Sequence, residues 1–366
     1  MPLDLIKKSL LQPQNTCQVL EVALAVAVDD YYLDVFCGKF RVTTTEVLQR
    51  ANDHQFNGAE NRLQTMNDHL SSLGTLKEVL SIAEHGGYAV GSFSPRMRAM
   101  IKPVLCAGQA ARSPLIVQIS QREMNRYQVT PSQFAEEFFT QLEREHITVP
   151  IVLHLDHTKE FSLIQDAIAA GFTSVMIDAS EKPLDENISM TREVTEYAHA
   201  HGVSVEAELG RIGTTDFVET ESDEELYTKP DEAERFVRET GVDALAVSVG
   251  TAHGVYTVRQ PKIDLARLRA IRALTPVHLV LHGGSGVPAE LMQAAIQLER
   301  GGVSKVNIAT DLELAALGAL GRDSHLIDAE MTALSPEEIT QARAAVEQTV
   351  TDKIQNFLRS DGKADR

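Results

Sequence analysis

The sequence predicts an α/β chain whose main body is a TIM-type (β/α)8 barrel, preceded by a mostly helical N-terminal extension. Two observations carry that prediction. From about residue 76 onward, short β-rich runs alternate with longer segments of helical periodicity, as parallel βα units do. There are eight such runs, and together they occupy about 240 residues, the usual size of a closed barrel. A doubly wound sheet is the competing architecture.

In chain order the runs are Tyr88–Ser94, Pro114–Ser120, Pro150–His157, Ser174–Ala179, Val203–Leu209, Ala244–Val249, His278–His282 and Lys305–Ala309. Several are nearly continuous in Val, Ile, Leu and Ala, which suits a strand with helices outside it and a packed core within. The charged stretch Gln121-Arg122-Glu123 reads as an extension of the second run. Residues 1–72 have another texture. Leu20, Ala23, Leu24 and Ala27 fall at helical spacing, although Val22, Leu24, Val26 and Val28 also alternate as a strand would. The expected division is a helical extension over 1–72 and a barrel with a closing helix over 73–366. That last helix starts at Ser335-Pro336-Glu337-Glu338, where Ser caps, Pro takes the first helical position and Glu338 completes a capping box. A polar tail follows from Arg359 and is expected to fray.

Composition narrows the function. The 366 residues include 34 Lys+Arg and 52 Asp+Glu, a net charge of −18, and 43% are hydrophobic. Such an acidic chain is unsuited to a nucleic-acid backbone, which requires a basic surface. Cys17, Cys37 and Cys106 are too few and too scattered for a disulfide framework or a cysteine zinc site. The first residues lack the basic-then-apolar order of a signal peptide, and Val22–Val28 is too short to span a bilayer. A cytoplasmic protein with neither nucleic-acid nor membrane partner is expected.

In a parallel barrel the chemistry sits at the C-terminal strand ends. Most of the 12 histidines fall in helical or loop segments, and His154 and His278 lie within or at the start of strands, away from the expected mouth. Three remain: His157, His253 and His282 close or follow the third, sixth and seventh strands. Each taken singly reads as a packed, hydrogen-bonded residue; together at one mouth they make a catalytic zinc site with an open position for substrate. Asp156 precedes the first of them and could shuttle a proton beside a cation, or orient an imidazole, or both. Glu206 and Glu208 alternate on the fifth strand and face one side, with Glu208 nearer the exit. Their burial calls for a metal or a basic neighbour, a structural ion pair included. Gly283-Gly284-Ser285-Gly286 and Asn307-Ile308-Ala309-Thr310-Asp311 follow strands seven and eight, where barrels bind phosphate through amides and hydroxyls. The first run also suits a turn.

The ordered set Leu-Asp156-His157, Glu206-Ala-Glu208-Leu-Gly210, Gly250-Thr-Ala-His253-Gly254, Leu-His282-Gly-Gly-Ser285-Gly and Val-Asn307-Ile-Ala-Thr310 resembles the class II, zinc-dependent ketose-bisphosphate aldolases over about residues 74 to 320. Val205–Arg211 and the Asn-x-Ala-Thr ending look closest to the tagatose-bisphosphate branch. The resemblance implies Zn2+ on His157, His253 and His282, with Glu208 as an auxiliary carboxylate near the metal and Asp156 as acid/base. It implies the phosphate of dihydroxyacetone phosphate against Gly254, Gly283, Gly284, Ser285, Ala309 and Thr310, Asn307 hydrogen-bonding the enediolate, and a monovalent cation (Na+ or K+) near that phosphate. A phosphorylated-sugar substrate and a homo-oligomer, dimer or tetramer, follow from the same likeness.

Two departures stand out. Where the family has a second Gly and then a mobile Glu, this chain has Gly213-Thr214-Thr215-Asp216, so Asp216, or Glu219 beyond it, takes the proton-transfer role. The usual Asn at the end of strand one is Ser94, and Arg122 could meet an acidic group on the aldehyde or be a solvated loop residue. The function expected is reversible cleavage of a phosphorylated ketose to dihydroxyacetone phosphate and an aldehyde. The rivals are an epimerase or other metal-dependent lyase on the same barrel, and a noncatalytic partner subunit of an aldolase.

Overall fold

The computed structural model describes residues 72–214, 226–254, 256 and 260–364. Outside these residues lie the extension predicted over 1–72, but for Ser72, and the positions of Asp216 and Glu219. Eight parallel strands close into a barrel: β1 Val90–Phe93, β2 Leu115–Ser120, β3 Ile151–Thr158, β4 Ser174–Ile177, β5 Ser204–Leu209, β6 Ala244–Val247, β7 His278–Leu281 and β8 Val303–Ile308. Each pairs with the next, and β8 returns to β1 with Ser92 opposite Asn307. Closure rules out the doubly wound alternative.

Every barrel strand is one the sequence predicts, most of them trimmed at the ends, whereas β3 runs on to Thr158 and β8 begins earlier, at Val303. Helices between strands cover the outside and pack on outward residues such as Val117, Leu153, Val205 and Leu279. The N-terminal end of the barrel is plugged by the helix Leu76–Gly86. Thr75 and Glu78 form a capping box at its start, and its apolar face is Leu76, Val79, Leu80 and Ala83. That face packs on inward-pointing Val90, Ile116, Val152, Met176, Ala244 and Val280. The lower interior is therefore dry. One turn higher, the same strand faces carry Ser92, Gln118, His154, Asp156, Glu206, Glu208, His282, Lys305 and Asn307, all buried. Polar groups withdrawn from water in this way must satisfy one another or a ligand.

Two local expectations change. Gln121–Tyr127 is a helix, because Ser120 caps it and Glu123 returns a bond to the Ser120 amide; the charged residues belong to a first helical turn, and Arg122 is exposed on it. The tail after Arg359 is held down: Ser113 Oγ donates to Ser360 Oγ at 2.8 Å, while the Gly362 and Ala364 amides donate to Ala111 O and Arg112 O, each at 2.9 Å. The helix Pro336–Asp352 begins with the predicted capping box. Among the described residues no helix is long and apolar enough to cross a membrane.

Candidate active site

Asp156 and His157 are consecutive, so a regular strand would point them to opposite faces. The register of β3 on β4 shifts between Leu155 and Thr158, and His157 takes a positive φ of 33°. This bulge re-aims the His157 side chain toward the mouth while Asp156 stays in the interior. His282 follows β7 directly. His253 comes from a short segment, Ala252–His253, that pairs with Gly213–Thr214 above β5. The Tyr256 hydroxyl accepts from the Ala252 amide at 2.8 Å and donates to Gly283 O at 3.3 Å, tying that segment to the β7 loop.

The three predicted histidines meet. Their ring centroids are 4.4 Å apart for His157–His282, 5.0 Å for His157–His253 and 5.8 Å for His253–His282. One nitrogen from each lies within 4.8 Å of the other two. The hydrogen bonds fix which nitrogens are available. His157 Nδ1 bonds Asp178 Oδ2 at 2.9 Å, and His282 Nε2 bonds Glu206 Oε1 at 2.8 Å. With those nitrogens carrying the protons, His157 Nε2 and His282 Nδ1 present lone pairs. Both are buried and without a hydrogen-bond partner, as is Glu208 Oε2, which lies 3.2 Å from His282 Nδ1. Unsatisfied imidazole nitrogens beside an unsatisfied carboxylate oxygen form the donor set of a cation, with the outer bonds that orient such ligands already in place. The residues fit zinc.

Titration splits the ligand set, holding one ring up and pushing another down. Burial lowers the His157 pKa, but Asp156, the Asp178 hydrogen bond and Glu208 outweigh it and hold the imidazole up at about 10. His253 is pushed down to about 3 by burial and by the neighbouring imidazoles. We expect Asp178→Ala, which frees the His157 ring, to weaken zinc binding about 10- to 100-fold in competition with a chromophoric chelator.

Beneath this set, Asp156 Oδ2 accepts from Gln118 Nε2 and Oδ1 from Asn307 Nδ2, both at 3.0 Å. Gln118 is itself held by the Ser92 hydroxyl. Burial raises the Asp156 pKa, but His157, Lys305 and His282 outweigh it, so the group is an ionised carboxylate at neutral pH. His154, Asp156 and Glu206 form a second close group of possible metal donors. There Lys305 Nζ lies 2.8 Å from Glu206 Oε2 and already supplies the positive charge. The lysine thus neutralises the carboxylate that orients His282.

At the β7 and β8 exits, the glycines have a packing reason of their own. A side chain on Gly283 would strike the Ala252 backbone, and one on Gly284 would approach Asn307 O to 2.9 Å. The Gly284 amide donates to Asn307 O at 3.0 Å. Ser285 Oγ accepts from the Asp311 amide at 3.3 Å, and Thr310 begins the helix Thr310–Ala319 right after Ala309. Gly254, at a φ of 105°, follows His253. Asp216 lies outside the described residues; the described chain stops at Thr214, paired with His253.

Sequence reasoning missed Asp178, Lys305, Gln118 and Ser92 as parts of the site. Asp178 was legible as an acid at the end of the fourth strand. Lys305 shares its strand phase with Asn307, and phase alone would have sent it inward.

A sequence model of the family described as fructose-bisphosphate aldolase class-II matches residues 74–363. A fructose-bisphosphate aldolase of Geobacillus stearothermophilus is 40% identical over 297 residues, covering 80% of this chain and 99% of the relative. That of Staphylococcus aureus (strain Mu50 / ATCC 700699) is 37% identical over 293 residues, covering 79% and 98%. Among solved structures, the YdjI aldolase of Escherichia coli K12 superposes with a TM-score of 0.68 at 32% identity, covering 80% of this chain and 99% of that one. A fructose-1,6-biphosphate aldolase described as putative, from Coccidioides immitis, gives a TM-score of 0.66 at 29% identity, covering 79% and 97%.

Proposed function

The chain belongs to the class-II fructose-bisphosphate aldolase family, a family of zinc-dependent carbon–carbon lyases acting on phosphorylated sugars, and from that premise we propose that it reversibly cleaves a phosphorylated ketose to dihydroxyacetone phosphate and an aldehyde. The observation that carries this reading is the trio of imidazoles with one nitrogen of each within 4.8 Å of the other two, His157 Nε2 and His282 Nδ1 without a hydrogen-bond partner and Glu208 beside them. His157, His253 and His282 would hold zinc, with Glu208 at its side. Bound there, zinc would supply Lewis acidity toward the ketose carbonyl and the negative charge that develops as the carbon–carbon bond is cut.

The chain's own groups do the rest. Asp156, ionised and fixed by two amide donors, takes the C4 hydroxyl proton in cleavage and returns it in condensation. Asn307 hydrogen-bonds the three-carbon fragment. Asp216, or Glu219 beyond it, moves the C3 proton of that fragment, a role carried by family likeness. Phosphate rests against Gly254, Gly283, Ser285, Ala309 and Thr310, and the backbone of Gly284 keeps that loop close to β8. These contacts act far from the bond being broken and supply positioning energy. A monovalent cation beside the phosphate and a homo-oligomeric assembly belong to the same proposal, carried by family likeness.

Product analysis tests it. Incubation of the zinc-loaded chain with ketose phosphates should release a triose phosphate, read by mass. Products that conserve the carbon number of the substrate would replace the aldolase by an epimerase, and no turnover of any ketose phosphate would leave a noncatalytic partner subunit.

A further inference from the structure

The rim over β1 and β2 carries charge that the chemistry above does not use, and it bears on which aldehyde the site accepts, given the aldol reading. The phosphate end of the substrate lies against the β7 and β8 loops. Asp156 is in register with Ser120 at the end of β2 and receives the proton of the hydroxyl on the carbon that becomes the aldehyde. The remainder of the aldehyde is thus directed past Asp156 to the rim of β1 and β2.

That rim is built around two carboxylates sharing one guanidinium. Glu123 Oε2 accepts from Ser94 Oγ at 2.7 Å and from the Ser120 amide and hydroxyl at 3.0 and 3.1 Å. Arg96 Nε donates to Glu123 Oε1 at 3.0 Å, Nη1 pairs with Glu313, and Nη2 reaches Thr310 Oγ1 at 3.4 Å. Glu313 is secured from behind by the Tyr127 hydroxyl at 2.6 Å and by His325. Arg96 is held in a left-handed conformation, φ 63°, with its side chain 13% exposed. Within this bracket two carboxylates share one guanidinium and leave it net negative, while Arg122, exposed on the same helix as Glu123, lies outside it. A phosphate dianion arriving here would have to displace a carboxylate from a guanidinium already committed, whereas hydroxyl groups find carboxylate and serine oxygens to bond.

We propose that the aldehyde partner is an unphosphorylated polyhydroxy aldehyde, so that the ketose bears a single phosphate at its dihydroxyacetone end, and that the bracket of Glu123, Arg96 and Glu313 enforces this choice. The assignment differs from the bisphosphate in the printed names of the relatives.

The test uses the full zinc-loaded chain with dihydroxyacetone phosphate and either glyceraldehyde 3-phosphate or the unphosphorylated aldehydes glyceraldehyde and erythrose. The expected kcat/KM favours the unphosphorylated aldehydes by about tenfold or more, the like-charge clash acting against the other. Glu123→Gln and Glu313→Gln should each narrow that ratio several-fold, and Glu123→Gln should do so with the KM for dihydroxyacetone phosphate unchanged. Preference for glyceraldehyde 3-phosphate would overturn the proposal, and an unchanged ratio in both variants would remove the bracket as its cause. Solvent deuterium uptake into dihydroxyacetone phosphate needs no aldehyde and reads the aldol chemistry alone. Uptake together with preference for the phosphorylated aldehyde refutes only the substrate assignment; absence of both uptake and condensation refutes the aldolase as well.

Discussion

His253→Ala is expected to lose bound zinc and aldol turnover together. His253 is one of three imidazoles whose nitrogens come within 4.8 Å of each other. Removing it leaves two imidazoles and a carboxylate around the ion. Loss of the Lewis acid forfeits several kcal/mol of charge stabilisation, or about 10³-fold or more in kcat. The fold should survive, because His253 sits on a short segment at the barrel mouth rather than in the core. Metal analysis and circular dichroism on the same preparation separate these effects. A variant with wild-type turnover and no metal would remove the imidazole trio from the mechanism.

Asp156→Asn should give the opposite pairing: zinc retained, turnover lost. Asp156 accepts from two amide nitrogens, and an asparagine there can accept from only one while offering a donor to the other. Gln118 has its oxygen engaged by Ser92, but Asn307 Oδ1 has no partner, so the Asn307 amide can turn over and accommodate the change. The site keeps its shape and loses its proton acceptor. We expect kcat for ketose cleavage to fall about 10²- to 10⁴-fold, with zinc content unchanged. Deuterium uptake at C3 of dihydroxyacetone phosphate, which does not involve the C4 hydroxyl proton, should persist. Equal loss of cleavage and uptake would show that Asp156 serves the metal site rather than the hydroxyl.

Much of this was legible in the sequence because barrel topology turns order along the chain into position around a ring. An apolar run ending in His, repeated on the third and seventh strands, can only deliver those rings to one mouth. What periodicity could not show was how Asp156 and His157 both serve that mouth, since strict alternation forbids it; the β3 bulge and the positive φ of His157 are tertiary features. The interior pair Glu206–Lys305 was half visible. Glu206 was placed on the inner face, but its partner lies 99 positions away on a strand that reads as apolar. The rim around Arg96 was hidden for a different reason: Gln121–Glu123 looked like a strand extension until the Ser120 cap turned it into a helix and brought Glu123 back over β2. The loop after Thr214 and the first 71 residues lie outside what the structure describes.

An anomalous-scattering crystal structure of the zinc-loaded chain, with data on both sides of the zinc absorption edge, tests the central claim most directly. The account predicts one strong zinc peak bounded by His157 Nε2, His282 Nδ1 and a His253 nitrogen, with the Asp178 and Glu206 hydrogen bonds still in place behind the first two. A peak elsewhere, or none between those three rings, would contradict it.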